Sequence, residues 1–218
     1  MSDLDLRNLA GERFERDLAA SWAAKDYARA LDLSRELLAV REQALGPNDP
    51  AVVNALCDVA ELQRRLGQPR ESERLLTRAL AAEETRGASP RLGQVAFQLA
   101  QALLERGAAQ DALPHLQRAA AMADVPEQVI AYGSLATVLR SLGLMPEARR
   151  AADQALVACD PRRTRPVDAA QAHNLAAELC EEVGELSDAR ARFISPRTIS
   201  TCLAWATSIP KWPSRCSM

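Results

Sequence analysis

A glycine recurs along this chain at nearly regular intervals, and a small residue follows it each time five positions later. The glycines are Gly67, Gly107, Gly143 and Gly184, and Lys25 takes the same place in an earlier copy. Successive anchors are 42, 40, 36 and 41 residues apart. The small residues are Ala30, Ser72, Ala112, Ala148 and Ala189. A period of this length is the signature of repeat architectures, in which each unit buries its apolar side against its neighbours.

Each repeat has the pattern of two helices joined by a tight turn. Apolar residues recur at three- and four-residue steps before the turn, as in Val53, Leu56, Val59, Ala60, Leu62 and Leu66. Glycine tolerates the left-handed conformation in which a helix often ends, and the small residue lets two antiparallel helices approach closely. Loops that contain proline separate the repeats, as in GPNDP, GASP, DVPEQ and DPRRTRP. The pattern predicts helix, turn, helix and loop in repetition.

Composition agrees with a helical chain. Hydrophobic residues make up 48% of the sequence but aromatic residues only 4%, and Ala and Leu, which favour helices, dominate. We therefore expect an all-α fold, an α-α superhelix built as a right-handed solenoid of antiparallel helical hairpins. It would hold about four full units and a truncated fifth. The expected solenoid spans residues 1–193, with units at 11–50, 51–90, 91–126, 127–165 and 166–193.

The last 25 residues, 194–218, differ from the repeats. They contain three prolines, two tryptophans and no acidic residue. Two interpretations stay open: a segment foreign to the repeat design, such as a shifted reading frame or a truncated end, or a cap in which residues 199–207 form a short helix. A solenoid end needs a cover, and an unfinished fifth hairpin leaves an apolar face that a second copy could cover as a homodimer.

The repeat resembles the tetratricopeptide repeat over roughly residues 11–193. Residues 26–30, DYARA, match that pattern well in the first unit, and ALGPNDPAVVNALCDVAELQRRLGQ is similar to the kinesin-light-chain subtype. The segment Asn174-Leu175-Ala176 also matches an element of that subtype. The resemblance implies a protein-binding function, with the first helix of each repeat on a concave side.

Counting back from each turn glycine gives the side chains expected to line that concave groove. They are Asp58, Glu61, Arg65, Gln98, Gln101, Ser134, Thr137 and Asn174. In the kinesin-light-chain subtype an asparagine in this row contacts the backbone of an extended peptide. Asn174 matches that residue directly, and Asp58, Gln98 and Ser134 occupy equivalent places. The amides of Gln98 and Asn174 can each offer a donor and an acceptor to a peptide bond.

Several other classes of function find no support in the sequence. The two histidines, His115 and His173, stand more than one repeat apart, and no motif supplies a third group for a catalytic or metal site. No phosphate-binding glycine motif occurs, so we expect no enzyme activity, no metal and no cofactor. A net charge of −2, from 27 basic and 29 acidic residues, argues against nucleic-acid binding.

The expected location is the cytoplasm. The five cysteines are scattered without a metal-binding or paired spacing, which is typical of reduced thiols. The acidic N-terminus does not read as a signal peptide, and no apolar run is long enough to cross a membrane. The preference for Arg over Lys, with the abundance of Ala, indicates a GC-rich bacterial genome.

Two hypotheses about function follow. The first is a protein–protein interaction scaffold that binds a partner protein or extended peptide in the groove, as part of a bacterial signalling or regulatory assembly. The alternative is a peptide-sensing regulatory receptor that changes its superhelical pitch when a signalling peptide binds. The mixed charge of the groove row suggests a partner segment without strong net charge.

Overall fold

The structure is a computed structural model, and it describes residue 14, residues 16–160 and residues 162–182. The turn at Gly184, the second helix of the fifth hairpin, the dimer surface expected there and the 194–218 tail lie outside the described residues. What the sequence predicts for them stays a prediction.

The described residues form helices and turns, without a strand. The helices are α1, described over residues 16–23, α2 (Tyr27–Leu45), α3 (Pro50–Arg65), α4 (Pro69–Glu84), α5 (Pro90–Glu105), α6 (Ala109–Met122), α7 (Val125–Ser141), α8 (Met145–Ala158) and α9 (Pro166–Glu182). The predicted fold class, an all-α arrangement of antiparallel helical hairpins, is confirmed.

The loop prolines begin the first helix of a repeat. Pro50 and Pro90 are the first residues of α3 and α5, where the missing N–H has no helical partner to lose. The side chain before each proline caps the helix: the Asp49 carboxylate accepts from Ala51 N–H at 2.8 Å, and the Ser89 hydroxyl accepts from Leu92 N–H at 3.2 Å. The local sequence therefore determines where α3 and α5 begin.

The turn anchors adopt the left-handed conformation that the repeat pattern requires. Gly67 has φ 74°, and the N–H of the next residue, Gln68, bonds the Gln63 carbonyl across the helix end at 2.9 Å. Lys25 has φ 58°, and Asp26 N–H bonds the Ser21 carbonyl in the same way at 3.0 Å. The prediction that Lys25 replaces a turn glycine is confirmed.

The small residues five positions after the anchors lie where the two helices of each hairpin pack together. Ala30, Ser72, Ala112 and Ala148 are each 0% exposed. Leu66, the last apolar residue of the periodic pattern before the Gly67 turn, is in contrast 38% exposed. Leu66 follows the last residue of the helix, where the chain turns away from the core.

The helices group into two compact units, α1–α6 and α7–α9. In the first unit, α3 packs antiparallel on α4 and α5 on α6, while α4 also contacts α5 and α2 contacts α3. The core of this unit includes the fully buried side chains of Leu56, Leu62, Leu76, Leu92 and Leu116. In the second unit, α7 and α8 form a hairpin and α9 contacts both. Its buried residues include Val129, Ala155, Ala172 and Leu179.

Candidate functional site

In the first unit, the side chains predicted to line a groove lie on two neighbouring first helices. Asp58, Glu61 and Arg65 are on α3, and Gln98 and Gln101 are on α5. Steps of three and four residues place them along one face of each helix. We call the α3–α5 face the set of exposed and half-buried side chains Asn54, Asp58, Glu61, Arg64, Arg65, Arg91, Gln94, Gln98, Gln101 and Glu105.

At the end of this face nearest the turns, an ion-pair network ties α3 to α5. The Glu61 carboxylate accepts two hydrogen bonds from Arg64 and one from Arg65, each at 2.8 Å. Another nitrogen of Arg64 donates to the Glu105 carboxylate on α5. These hydrogen bonds, with Glu61 as the main cause, raise the pKa of Arg64. Two of the predicted residues, Glu61 and Arg65, are thus brought into direct contact.

Arg65 also contacts an aromatic pair. Its guanidinium lies 5.5 Å from the centre of the Tyr27 ring and donates to the Tyr27 hydroxyl at 3.4 Å. Trp22 meets Tyr27 edge to face, with ring centres 6.1 Å apart. The hydrogen bond to Tyr27, followed by that to Glu61, raises the pKa of Arg65. A cation held against a ring and a carboxylate has few orientations left to lose when a ligand binds.

At the opposite end of the face, Arg91 ties α5 to α3. It stands in the first turn of α5, and one terminal nitrogen donates to the side-chain oxygen of Asn54 on α3. Its Nε donates to Glu83 at 3.0 Å, and Arg86 donates to the same carboxylate oxygen at 2.7 Å. The Glu83 side chain is only 3% exposed. A buried carboxylate on α4 therefore fixes a guanidinium on the α3–α5 face.

Between the two ends, the polar side chains of the face are not hydrogen-bonded to one another. Asp58, Gln98 and Gln101 make no side-chain hydrogen bond to any described residue. Burial is the main influence on Asp58 and raises the pKa of its carboxyl, against the lowering effect of Arg41 and Arg91. The middle of the face thus offers a carboxylate and two amides that form no hydrogen bond to a described residue.

In the second unit, Ser134 and Thr137 lie on α7 and Asn174 lies on α9. The Thr137 hydroxyl donates to the Gly133 carbonyl of its own helix at 2.9 Å, which leaves its oxygen lone pairs as acceptors. Arg140 on α7 lies 2.8 Å from Glu178 and 3.6 Å from Glu182 of α9. Here too, a guanidinium three residues before a turn glycine joins two first helices.

Reactive side chains are shielded rather than activated. Burial raises the pKa of the Cys57 thiol to about 12 and lowers the pKa of both His115 and His173. No group of metal-binding side chains occurs within the described residues. None of the described helices is long and apolar enough to span a membrane.

Four residues of the α3–α5 face region were not found from the sequence: Asn54, Glu83, Arg91 and Gln94. Counting back from the turn glycine covered only the last three turns of each first helix, and Asn54 and Arg91 lie further upstream. Asn54 stands four residues before Asp58, so helical spacing alone places it on the same face. Glu83 lies at the far end of a second helix, and no local pattern marks it.

Residues 19–85 match the tetratricopeptide repeat family. No curated protein matches the chain at a significant level. Similar folds occur among solved structures.

BtubC (BKLC) from P. vanneervenii is 18% identical with a TM-score of 0.73, covering 95% of this chain and 85% of that chain. A Podosopora anserina protein named as a kinesin light chain, with nearly identical TPR-like repeats, is 16% identical with a TM-score of 0.68, covering 90% and 95%. YrrB, described as a TPR protein with an unusual peptide-binding site, is 18% identical with a TM-score of 0.55, covering 88% of both chains. At these identities the likeness shows the fold alone.

Proposed function

We propose that this chain is a protein-interaction module that binds an extended segment of a partner protein on the α3–α5 face. We further propose that it serves a signalling or regulatory assembly in a bacterial cytoplasm. One observation carries the binding proposal: side chains with no hydrogen bond to a described residue lie between two ends at which arginines tie α3 to α5. The match of residues 19–85 to the tetratricopeptide repeat family supports a protein-interaction role.

The chemistry of the face fits a polypeptide backbone. An extended peptide presents N–H and C=O groups in alternation, and a glutamine amide can bond both kinds. Gln98 and Gln101 are half-buried on α5, and Asp58 on α3 adds an acceptor. Ser134, Thr137 and Asn174 give the second unit a polar row of the same kind. The ligand we propose is therefore recognised first by its backbone.

The charge of the face fits a segment without strong net charge. Three acidic side chains (Asp58, Glu61 and Glu105) accompany three basic ones (Arg64, Arg65 and Arg91). Most of these charges already pair with one another, as the contacts of Glu61 and Arg64 show. The face therefore has no excess positive charge that could displace the counterions of a polyanion such as nucleic acid.

The proposal can be tested with random peptides displayed on phage and selected on the purified chain. Selected peptides would then be synthesised with a fluorophore, and their affinity measured by fluorescence anisotropy. The test variant is Gln98→Ala with Gln101→Ala. The matched control is Gln110→Ala with Gln117→Ala, which removes two exposed glutamines of the second helix α6. Circular dichroism would establish that all proteins remain folded.

We expect the test variant to lose about tenfold or more in affinity, since two hydrogen bonds of roughly 1 kcal/mol each are removed. The control variant should bind as the wild type does. Equal affinity of the wild type and the test variant for every selected peptide would refute the proposal. The peptide affinity of Asn174→Ala, measured separately, tests whether the second unit takes part in binding.

A further inference from the structure

We propose that Asp58 sets the charge specificity of the α3–α5 face. With Arg41 and Arg91 it forms a receptor for one uncharged peptide unit of the ligand, and its carboxylate offsets one of the two guanidinium charges, so that an acidic side chain gains less there than it would from the arginines alone. This inference rests on the proposed function, since it names the chemistry of the segment that the same face would bind. The three residues are called the Arg41–Asp58–Arg91 triad below.

The geometry of α3 brings the triad together. Ala51, Asn54 and Asp58 follow one another at steps of three and four residues, so they lie along one face of the helix. Arg41 of α2 donates to the Ala51 carbonyl at 3.4 Å, and Arg91 of α5 donates to the side-chain oxygen of Asn54. Guanidinium groups from two flanking helices are thus anchored on the same face as Asp58, within the two turns that precede it.

The triad retains both donors and acceptors. A guanidinium has five N–H groups, and Arg91 uses its Nε for Glu83 and one terminal nitrogen for Asn54. Arg41 uses one terminal nitrogen for the Ala51 carbonyl. The Asp58 carboxylate makes no hydrogen bond to a described residue. A peptide unit complements this arrangement, because its C=O can accept from a guanidinium while its N–H donates to Asp58.

The charges oppose a basic side chain at this position and limit what an acidic one can gain. A Lys or Arg side chain of the ligand would be repelled by Arg41 and Arg91. An Asp or Glu side chain would be attracted by the two guanidiniums, and Asp58 opposes that attraction because its carboxylate lies within electrostatic reach of both. The remaining neighbours do not alter this balance: Cys57 carries a neutral thiol, and the charge of Glu83 is engaged by Arg86 and Arg91. Specificity of this kind comes from a repulsive element as much as from an attractive one.

Removing the charge of Asp58 should therefore change which segment binds, and not only how tightly. Asp58→Asn keeps a side-chain acceptor of the same shape but leaves two guanidiniums facing the ligand without a carboxylate between them. The matched control is Asp32→Asn, which neutralises an exposed aspartate on α2, the second helix of the first hairpin. Both variants change the net charge of the chain by one, so a general charge effect would appear in both.

The experiment uses a fluorescent peptide selected on the wild type, whose binding is lost in the Gln98→Ala, Gln101→Ala variant. Each position of this peptide is replaced by Glu in turn, and every version is measured by anisotropy on each protein. We expect at least one position at which the Glu version binds Asp58→Asn about tenfold more tightly than it binds the wild type, as for the loss of an unfavourable charge contact of roughly 1.4 kcal/mol. At that position Asp32→Asn should bind the Glu version as the wild type does.

Arg41→Gln supplies an independent variant in case Asp58→Asn fails to fold. It removes one of the two cations, so the Glu version should bind this variant more weakly than it binds the wild type. A Glu scan that is identical on wild type, Asp58→Asn and Arg41→Gln would overturn the inference and leave the proposed function standing. If no selected peptide depends on Gln98 and Gln101, the proposed function fails and this inference with it.

Discussion

Arg78 on α4 forms an ion pair with Glu42 on α2, with 2.7 Å between nitrogen and oxygen. The next pair of second helices repeats this contact, since Arg118 on α6 pairs with Glu84 on α4. The register is the same in both cases. Each glutamate stands 17 residues after a turn anchor, and each arginine stands 11 residues after the anchor of the following repeat. The stacking of second helices in the first unit thus has a recurring electrostatic component.

These cross-helix pairs should contribute modestly to stability and should respond to salt. Double-mutant cycles on Glu84→Gln and Arg118→Gln, measured by urea unfolding, should give a coupling energy of about 0.2–1 kcal/mol at low ionic strength. The coupling should largely disappear near 1 M salt, where the screening length falls to about 3 Å. The more exposed Glu71–Arg74 pair within α4 serves as control and should couple less. A coupling that persists at high salt would mean that packing, not charge, joins the helices.

Replacing Lys25 by glycine should stabilise the chain. Lys25 adopts a left-handed backbone conformation. This conformation costs an ordinary residue roughly 1–2 kcal/mol and costs glycine almost nothing. Part of this gain is offset because glycine makes the unfolded chain more flexible, so we expect Lys25→Gly to raise the free energy of unfolding by about 0.5–1 kcal/mol. Urea denaturation gives the measurement.

Gly67→Ala is the opposite substitution, because it removes the glycine of a turn anchor. An added Cβ at Gly67 would meet no atom within 4 Å, so any loss reflects the conformation of the backbone and not a clash. We expect a loss of about 1 kcal/mol or more. Equal stability of Lys25→Gly and the wild type would show that the first turn is not strained by its lysine.

The hairpins could be predicted because local chemistry determines them. The turn at Lys25 follows from its register with the glycines, and the full burial of Ser72 follows from its place five residues after Gly67. Leu66 shows where a periodic pattern fails, because the pattern does not say at which residue the helix stops. Helix ends depend on backbone hydrogen bonds that a hydrophobic stripe does not report.

The details of the candidate site could be predicted only in part. Helical spacing put Asp58, Glu61 and Arg65 on one face, but their partners come from other repeats. The Arg91–Asn54 contact joins residues 37 apart in sequence, and the Arg64–Glu105 contact joins residues 41 apart. Which nitrogen meets which oxygen depends on how one repeat sits on the next, and single-sequence periodicity carries no information on that.

The Cys57 thiol should be inert in the folded chain. Its pKa rises from the ordinary value of 9.0 to about 12, chiefly through burial. Since the thiolate is the reactive form, three pKa units lower its population roughly a thousandfold at neutral pH. We expect iodoacetamide to modify Cys57 only when urea unfolds the chain, as followed by peptide mass spectrometry. Modification of Cys57 at the same rate with and without urea would contradict this.

The same shift predicts a loss of stability in alkali. Because the folded-state pKa lies above the unfolded value, the folded chain holds the thiol proton more tightly. The contribution is complete below about pH 9 and falls as the pH rises from 9 to about 12. Comparison with Cys57→Ala isolates this contribution from other groups. The variant should lose less stability than the wild type over that pH range, and parallel curves for the two proteins would count against the assignment.

Glu83 should matter more to stability than any exposed glutamate of its helix. Its side chain is 3% exposed and accepts from Arg86 and Arg91, which are themselves about one-third exposed. Glu83→Gln removes the negative charge and leaves two guanidiniums to be hydrated at a crowded helix junction. We expect a loss of about 1–3 kcal/mol in the free energy of unfolding, below the value for a wholly buried pair because water can reach both arginines.

Glu71→Gln provides the matched control for this prediction, because it makes the same chemical change at the start of the same helix. The Glu71 side chain is 53% exposed and its partner Arg74 is 70% exposed, so its loss should cost less than about 0.5 kcal/mol. Glu83→Gln should also weaken the binding of a peptide selected on the α3–α5 face, since Arg91 loses the group that orients it, whereas Glu71→Gln should leave that affinity unchanged. Equal losses of stability in Glu83→Gln and Glu71→Gln would show that the burial of Glu83 does not contribute to the free energy of unfolding. An unchanged peptide affinity in Glu83→Gln would show that Arg91 does not take part in binding.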